Sequence, residues 1–132
     1  MTRQRVFSGA PWESEVGYCR AIRAANHIYV TGTVALDEDG STHGVGDGYA
    51  QAKRCLEIIV RALAELGAGP EHVTRTRMFV TDIGCWEEFG RAHGEVFREH
   101  PPATTMVEVS ALIRPDMLIE IEVDALVDEG AS

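Results

Sequence analysis

An α+β fold, with one mainly antiparallel sheet and two helices packed on one of its faces, is what the sequence predicts from three observations. In the last third of the chain Met117, Ile119, Ile121, Val123, Ala125 and Val127 alternate with Leu118, Glu120, Glu122, Asp124 and Leu126. That is the period of a strand with one apolar and one largely acidic face. Two central segments instead repeat apolar residues at three- and four-residue steps, the period of amphipathic helices. Their place among the strand-like runs gives the order β-β-α-β-α-β-β, which puts both helices on one side of a single sheet.

Each element has its own signals. Tyr18–Ala24 and His27–Val34 read as strands joined in a hairpin at Ala25-Asn26. The polar, glycine-rich stretch Asp37–Gly48 follows as a loop. Ala52, Cys55, Leu56, Ile59, Leu63 and Leu66 then fall on one helical face, with Asp47 as N-cap and Gly67-Ala68-Gly69-Pro70 as the stop. Val73–Thr81, with Val73, Met78, Phe79 and Val80 among threonines and arginines, reads as a strand. The second helix presents Trp86, Phe89, His93, Val96 and Phe97. Gly90 and Gly94 each weaken it by about 1 kcal/mol relative to Ala, so packing must hold it. His100-Pro101-Pro102 ends it, because proline pushes the preceding residue towards extended backbone. Thr104–Leu112 alternates again, with Val107 and Val109 opposite Met106, Glu108 and Ser110, and Arg114-Pro115-Asp116 makes a turn into the last strand.

The 132 residues form a single domain over 1–132, large enough to bury roughly two-thirds of the extended-chain surface without metal or disulfide support. Twelve basic against 21 acidic residues give a net charge of −9, which opposes approach to phosphate backbones and anionic membranes. A nucleic-acid or membrane partner is therefore not expected. Cys19, Cys55 and Cys85 are odd in number and widely spaced, neither a disulfide framework nor a zinc knuckle. The first nine residues contain no apolar signal-like core, and no stretch reaches membrane-spanning length, so a cytoplasmic location is expected.

Most chemical signatures are absent. His27, His43, His72, His93 and His100 show no paired spacing, so no metal site is expected, and His93 reads as a hydrogen-bonded packing residue on its helix. Gly44-Val45-Gly46-Asp47-Gly48 has the wrong spacing for a phosphate loop, and Asp47 would repel the anion. There is no G-x-S-x-G motif, Cys55 is core, and Cys85 sits near a helix start without an assignable base. Glu120, with Glu122 two residues along the same face, is the leading catalytic candidate, because a carboxylate in a partly enclosed cleft can hold a water and take its proton. Ordinary edge acids are the other reading of this pair. The acidic face also carries Leu118, Leu126 and, on the neighbouring strand, Met106, which suits either a subunit interface enclosing polar cavities or a solvated outer face.

Pro102-Ala103-Thr104-Thr105-Met106-Val107-Glu108-Val109, followed by Ile119-Glu120-Ile121-Glu122, resembles the Rid/YjgF superfamily of reactive-intermediate deaminases, often labelled endoribonuclease L-PSP. Gly17-Tyr18, Asn26-His27-Ile28-Tyr29-Val30-Thr31-Gly32, Asp47 with Gln51-Ala52, and Met78-Phe79-Val80-Thr81-Asp82 fall in the same order and spacing. The resemblance implies a chorismate-mutase-like fold and a homotrimer with clefts between subunits. It also implies hydrolysis of small 2-imino or 2-enamino acids to 2-oxo acids and ammonia without a cofactor. In that mechanism Glu120 orients the water, while Tyr18 and the backbone at Met106 hold the ligand.

The family pattern breaks at Thr104. Deaminase members carry an arginine there, within Pro-Ala-Arg-Ser, that grips the substrate carboxylate; threonine offers a hydroxyl but neither the charge nor the planar fork. Gly90 stands where the family often has asparagine. Arg20, two residues from Tyr18 and on its strand face, can enter the vacated corner, or it can be an ion-paired residue of the first hairpin. The expectation is a homotrimer that binds a small polar metabolite through Tyr18, Arg20, Thr104 and Met106 and hydrolyses an imine, enamine or related labile intermediate. A non-catalytic metabolite-binding or regulatory trimer is the alternative. A ribonuclease conflicts with the net charge and with the lack of a basic, aromatic-interleaved surface.

Overall fold

In the computed structural model, which describes residues 2–128, the chain runs β1 (Arg3–Val6), α1 (Pro11–Val16), β2 (Ala21–Ala24), β3 (His27–Val34), α2 (Gly48–Glu65), β4 (Val73–Val80), α3 (Trp86–Phe97), β5 (Ala103–Glu108) and β6 (Ile119–Leu126). Met1 and 129–132, the ends of the expected domain, lie outside the described residues. One six-stranded sheet has the order β1-β2-β3-β6-β4-β5, antiparallel throughout except for the parallel pair β4/β5. The α+β class with two main helices is as expected.

The helices form where the sequence patterns require them. Ala52, Cys55, Leu56, Ile59 and Leu63 of α2 are buried against Ile119, Ile121 and Val123 of β6, and each such aliphatic side chain contributes on the order of 1.5–3 kcal/mol. The Asp47 carboxylate caps α2 by accepting from the Ala50 N–H at 3.0 Å. At the other end Gly67 takes φ +83°, a left-handed conformation that lets the Ala68 N–H reach back to the Leu63 carbonyl. Gln51, fully buried on α2, accepts from the Leu118 N–H at 2.8 Å and donates to the Asp116 carbonyl at 2.9 Å. A buried amide thus fixes the backbone that leads into β6, and with it the position of Glu120.

Several sequence expectations need correction. The hairpin turn lies at Ala25-Asn26 as expected, but its first strand begins at Ala21 rather than Tyr18. The short helix α1 ends at Gly17, and its carbonyl at Glu13 takes the Tyr18 N–H at 3.0 Å, so Tyr18 belongs to a helix exit. β1 and α1 themselves are additions that no periodicity signalled. β5 does not form a hairpin with β6: β4 lies between them, and α3 supplies the crossover that a parallel β4/β5 pair needs. Consequently Met106 does not share the acidic face. It pairs in register with Met78, which is 2% exposed, and packs on the helix side of the sheet; Leu118 also packs against the core. Trp86, expected on the apolar face of α3, is 56% exposed, whereas Phe89 and Phe97 of the same helix are buried.

Candidate functional site

The outer face of the sheet, opposite the helices, gathers Glu120, Glu122 and Asp124. Glu120 is half-buried where β3 bulges against β6: the register slips between Val30 and Thr33, placing Gly32 beside the carboxylate. A Cβ at Gly32 would overlap Glu120 Oε2 and stand 2.9 Å from its Cδ, so glycine is what admits the acid here. Burial raises the Glu120 carboxyl above its ordinary range; Arg20 opposes that shift and Glu122 reinforces it. Glu122 and Asp124 are partnered by Arg77, at 3.2 and 3.5 Å.

Arg20 stands on the far side of Gly32. Its guanidinium is 5% exposed and donates to the Gly32 carbonyl at 2.9 Å, to Thr33 Oγ1 at 3.2 Å and to the Glu13 carboxylate at 3.0 Å. Burial works to raise the Glu13 carboxyl, but hydrogen bonds from Ser8 and Arg20 together with the Arg20 charge outweigh it and leave the group below its ordinary range. Glu13 therefore neutralises Arg20, and a ligand anion would have to displace Glu13 to reach it. The Arg20 guanidinium also lies 5.7 Å from the centre of the Tyr18 ring, so these two residues are neighbours as the sequence suggested. Tyr18 lines an open groove of ≈ 690 Å³ together with Tyr29, Thr31, Glu122 and Asp124.

Thr104 lies elsewhere. It is opposite Thr76 in the parallel β4/β5 register, on the helix side of the sheet, with Oγ1 2.8 Å from Thr76 Oγ1. Thr76 Oγ1 is in turn 2.9 Å from His93 Nε2 on α3. His93 also packs against Phe97, with ring centres 4.6 Å apart, and burial holds its pKa below the usual histidine value. The Met106 side chain is partly buried and packs against the core from the same side of the sheet. Within one chain, then, Arg20 lies near the Tyr18 ring and its charge reaches Glu120, while Thr104 and Met106 belong to the opposite face of the same sheet.

A sequence profile described as Endoribonuclease L-PSP matches residues 8–127. The chain belongs to this family, part of the Rid/YjgF superfamily. Among Rid/YjgF relatives, an uncharacterised protein of Streptomyces coelicolor is 39% identical over 122 residues, covering 92% of this chain and 90% of its own. RutC of Acinetobacter baylyi, a 3-aminoacrylate deaminase, is 36% identical over 104 residues, 79% of this chain and 82% of its own. The crystal structure of Rv2704 from Mycobacterium tuberculosis, a member of the YjgF/YER057c/UK114 family, superposes with a TM-score of 0.87 at 43% identity, covering 96% of this chain and all of that one. The YjgF fold expected from the resemblance is the one observed.

Sequence reasoning gave no role at the candidate site to Glu13 or Thr76, and quoted Gly32 and Gln51 only as part of the family resemblance. Thr76 was legible in principle, since it shares the two-residue period of Met78 and Val80 and must face the core. Glu13 gave no signal, because its pairing with Arg20 depends on α1, which is too short to show a period. Two of the three cysteines do not read as nucleophiles: burial pushes up the Cys55 thiol, and desolvation with nearby Asp82 and Glu88 pushes up that of Cys85. Among the described residues no helix is long and apolar enough to cross a membrane.

Proposed function

We propose that this protein is a cytoplasmic homotrimer that binds a small polar metabolite in clefts between subunits and hydrolyses an imine, enamine or related labile intermediate without a cofactor. The observation that carries this reading is Glu120: an acid kept half-buried over Gly32, with its pKa raised and no salt-bridge partner among the described residues. Thr104 and Glu120 lie on opposite faces of one sheet, so a cleft containing both must take them from two copies. Tyr29, Val107 and Leu126, at 50%, 43% and 41% exposure, together with the uncovered edge of β5, supply surface for that contact.

In the reaction, Glu120 takes a proton from a water whose oxygen bonds to the imine carbon. The nitrogen receives a proton to give a carbinolamine, whose hydroxyl proton passes to the nitrogen as the carbon–nitrogen bond breaks, so that ammonia and a carbonyl product leave. Tyr18, braced by Arg20, and the backbone at Met106 hold the ligand in position for that attack. Thr104 brings no charge and Arg20 is already paired with Glu13, so neither supplies a cation to a carboxylate, which favours a substrate other than a 2-imino acid. The same observation favours a second reading, a non-catalytic metabolite-binding trimer.

Ammonia release from 2-aminoacrylate generated in situ, compared with release from an uncharged imine, tests both readings. We expect slow turnover of the acid, faster turnover of the neutral imine, and loss of both in Glu120→Gln with binding retained. Equal rates for Glu120→Gln and wild type would leave the binding-only reading.

A further inference from the structure

We propose that His93, acting through Thr76, makes Thr104 a hydrogen-bond donor to an uncharged carbonyl-type oxygen of the ligand. This inference rests on the cleft reading above and names the chemistry of its Thr104 corner. A hydroxyl has one proton to give. Thr76 Oγ1 is fully buried between His93 Nε2 at 2.9 Å and Thr104 Oγ1 at 2.8 Å, so it must donate to one and accept from the other. Two polarities of the relay are therefore possible.

With the imidazole proton on Nδ1, Nε2 accepts from Thr76, Thr76 accepts from Thr104, and Thr104 turns lone pairs towards the cleft. With the proton on Nε2, His93 donates to Thr76 and Thr76 donates to Thr104. The Thr104 proton is then free for a ligand, its only other acceptor being the Pro102 carbonyl at 3.4 Å. The hydrogen bond made by one imidazole nitrogen decides which carries the proton. His93 Nδ1 has no protein hydrogen bond among the described residues, so no protein acceptor draws the proton there, and the Nε2–H form, intrinsically preferred by neutral imidazole, stands.

Charge decides the ligand class. Among the described residues no Arg or Lys hydrogen-bonds to His93, Thr76 or Thr104, and burial favours neutral His93. A carboxylate at this corner would lose part of its hydration without gaining a cation. A ketone, amide or imide oxygen loses much less and accepts the single Thr104 proton. Gly90, one turn before His93 on α3, adds room: a Cβ there would meet only Trp86 Cε3, at 3.9 Å.

The tautomer can be read without any ligand by long-range ¹H–¹⁵N correlation of His93 in the assembled protein at pH 7.5. A protonated Nε2 and unprotonated Nδ1 are expected; the reverse overturns the proposal. Binding is then measured with 2-oxobutanamide and 2-oxobutanoate as probes, by calorimetry. The amide should bind more tightly, and Thr104→Val and His93→Phe should each weaken it by about three- to tenfold, the worth of one net hydrogen bond. His93→Gln, whose side-chain amide can still donate to Thr76, should restore most of that loss, which mere packing by His93 does not predict. Unchanged amide binding in Thr104→Val and His93→Phe, with binding still sensitive to Tyr18→Phe, overturns the relay and leaves the cleft reading intact. No binding of either probe to an assembled trimer overturns both.

Discussion

The Glu120 corner and the Thr104 corner of the proposed cleft handle polarity in opposite ways. Around Gly32 the chain buries or half-buries charged groups, Glu13, Arg20 and Glu120, and matches only the first two with each other. Around Thr76 it buries no charge and relies on three neutral side chains joined by short hydrogen bonds. A charged corner is held by strong, costly interactions that fail badly when one member is lost. A neutral corner is held by weak ones, but its polarity can be set by a single proton position. The difference teaches where an anionic ligand would find no grip: Thr104 brings no charge, and Arg20 is already paired with Glu13.

The largest effect should come from the charged corner. Glu13→Ala removes the one salt-bridge partner of the buried Arg20 guanidinium among the described residues, and urea unfolding should show a loss of about 3–5 kcal/mol. A loss below about 1 kcal/mol would mean that Arg20 reaches water and that the two corners differ less than their geometry implies. Gly32→Ala should separate stability from chemistry. The intruding Cβ meets the flexible end of Glu120 rather than backbone, so the chain should still fold with a small change in Tm. Displacing the carboxylate should lower any hydrolytic rate by about a hundredfold.

Smaller effects sharpen the contrast from the neutral side. Thr76→Val removes the middle of the relay but strands no charge, so the expected loss is about 1 kcal/mol. Glu120→Gln should be slightly stabilising at neutral pH. The folded state binds the Glu120 proton more tightly than the unfolded chain, so this group's contribution is complete below the unfolded glutamate value of about 4.3 and is lost as pH rises through the raised folded value. The Tm of Glu120→Gln should exceed wild type at pH 7 and converge with it near pH 3.5. A lower Tm at pH 7 would indicate that Arg20 stabilises the carboxylate more than burial opposes it.

Much of this arrangement was legible in the sequence, because local periodicity reports local exposure. The β6 alternation placed Glu120 on the outer face, the α2 spacing gave its buried stripe, and Asp47 and Gly67 marked that helix's ends. What periodicity does not encode is strand order. Thr104–Leu112 alternates equally well whether its neighbour is β6 or β4, and the turn-like Arg114-Pro115-Asp116 suggested the wrong one. That error put Met106 on the acidic face and left Thr104 and Glu120 on the same side of the sheet. The Glu13–Arg20 pair was illegible for a related reason: it joins a six-residue helix to a strand entrance across a fold that no single period describes.

The central claim is that a second copy of the chain brings the two corners together. A crystal structure of the assembled protein tests it most directly. The shared-cleft arrangement predicts a threefold assembly in which Glu120 and Tyr18 of one subunit and Thr104 of the next open onto the same cleft. A monomer, or an assembly in which Thr104 faces bulk solvent while Glu120 is covered by some other surface, would contradict it.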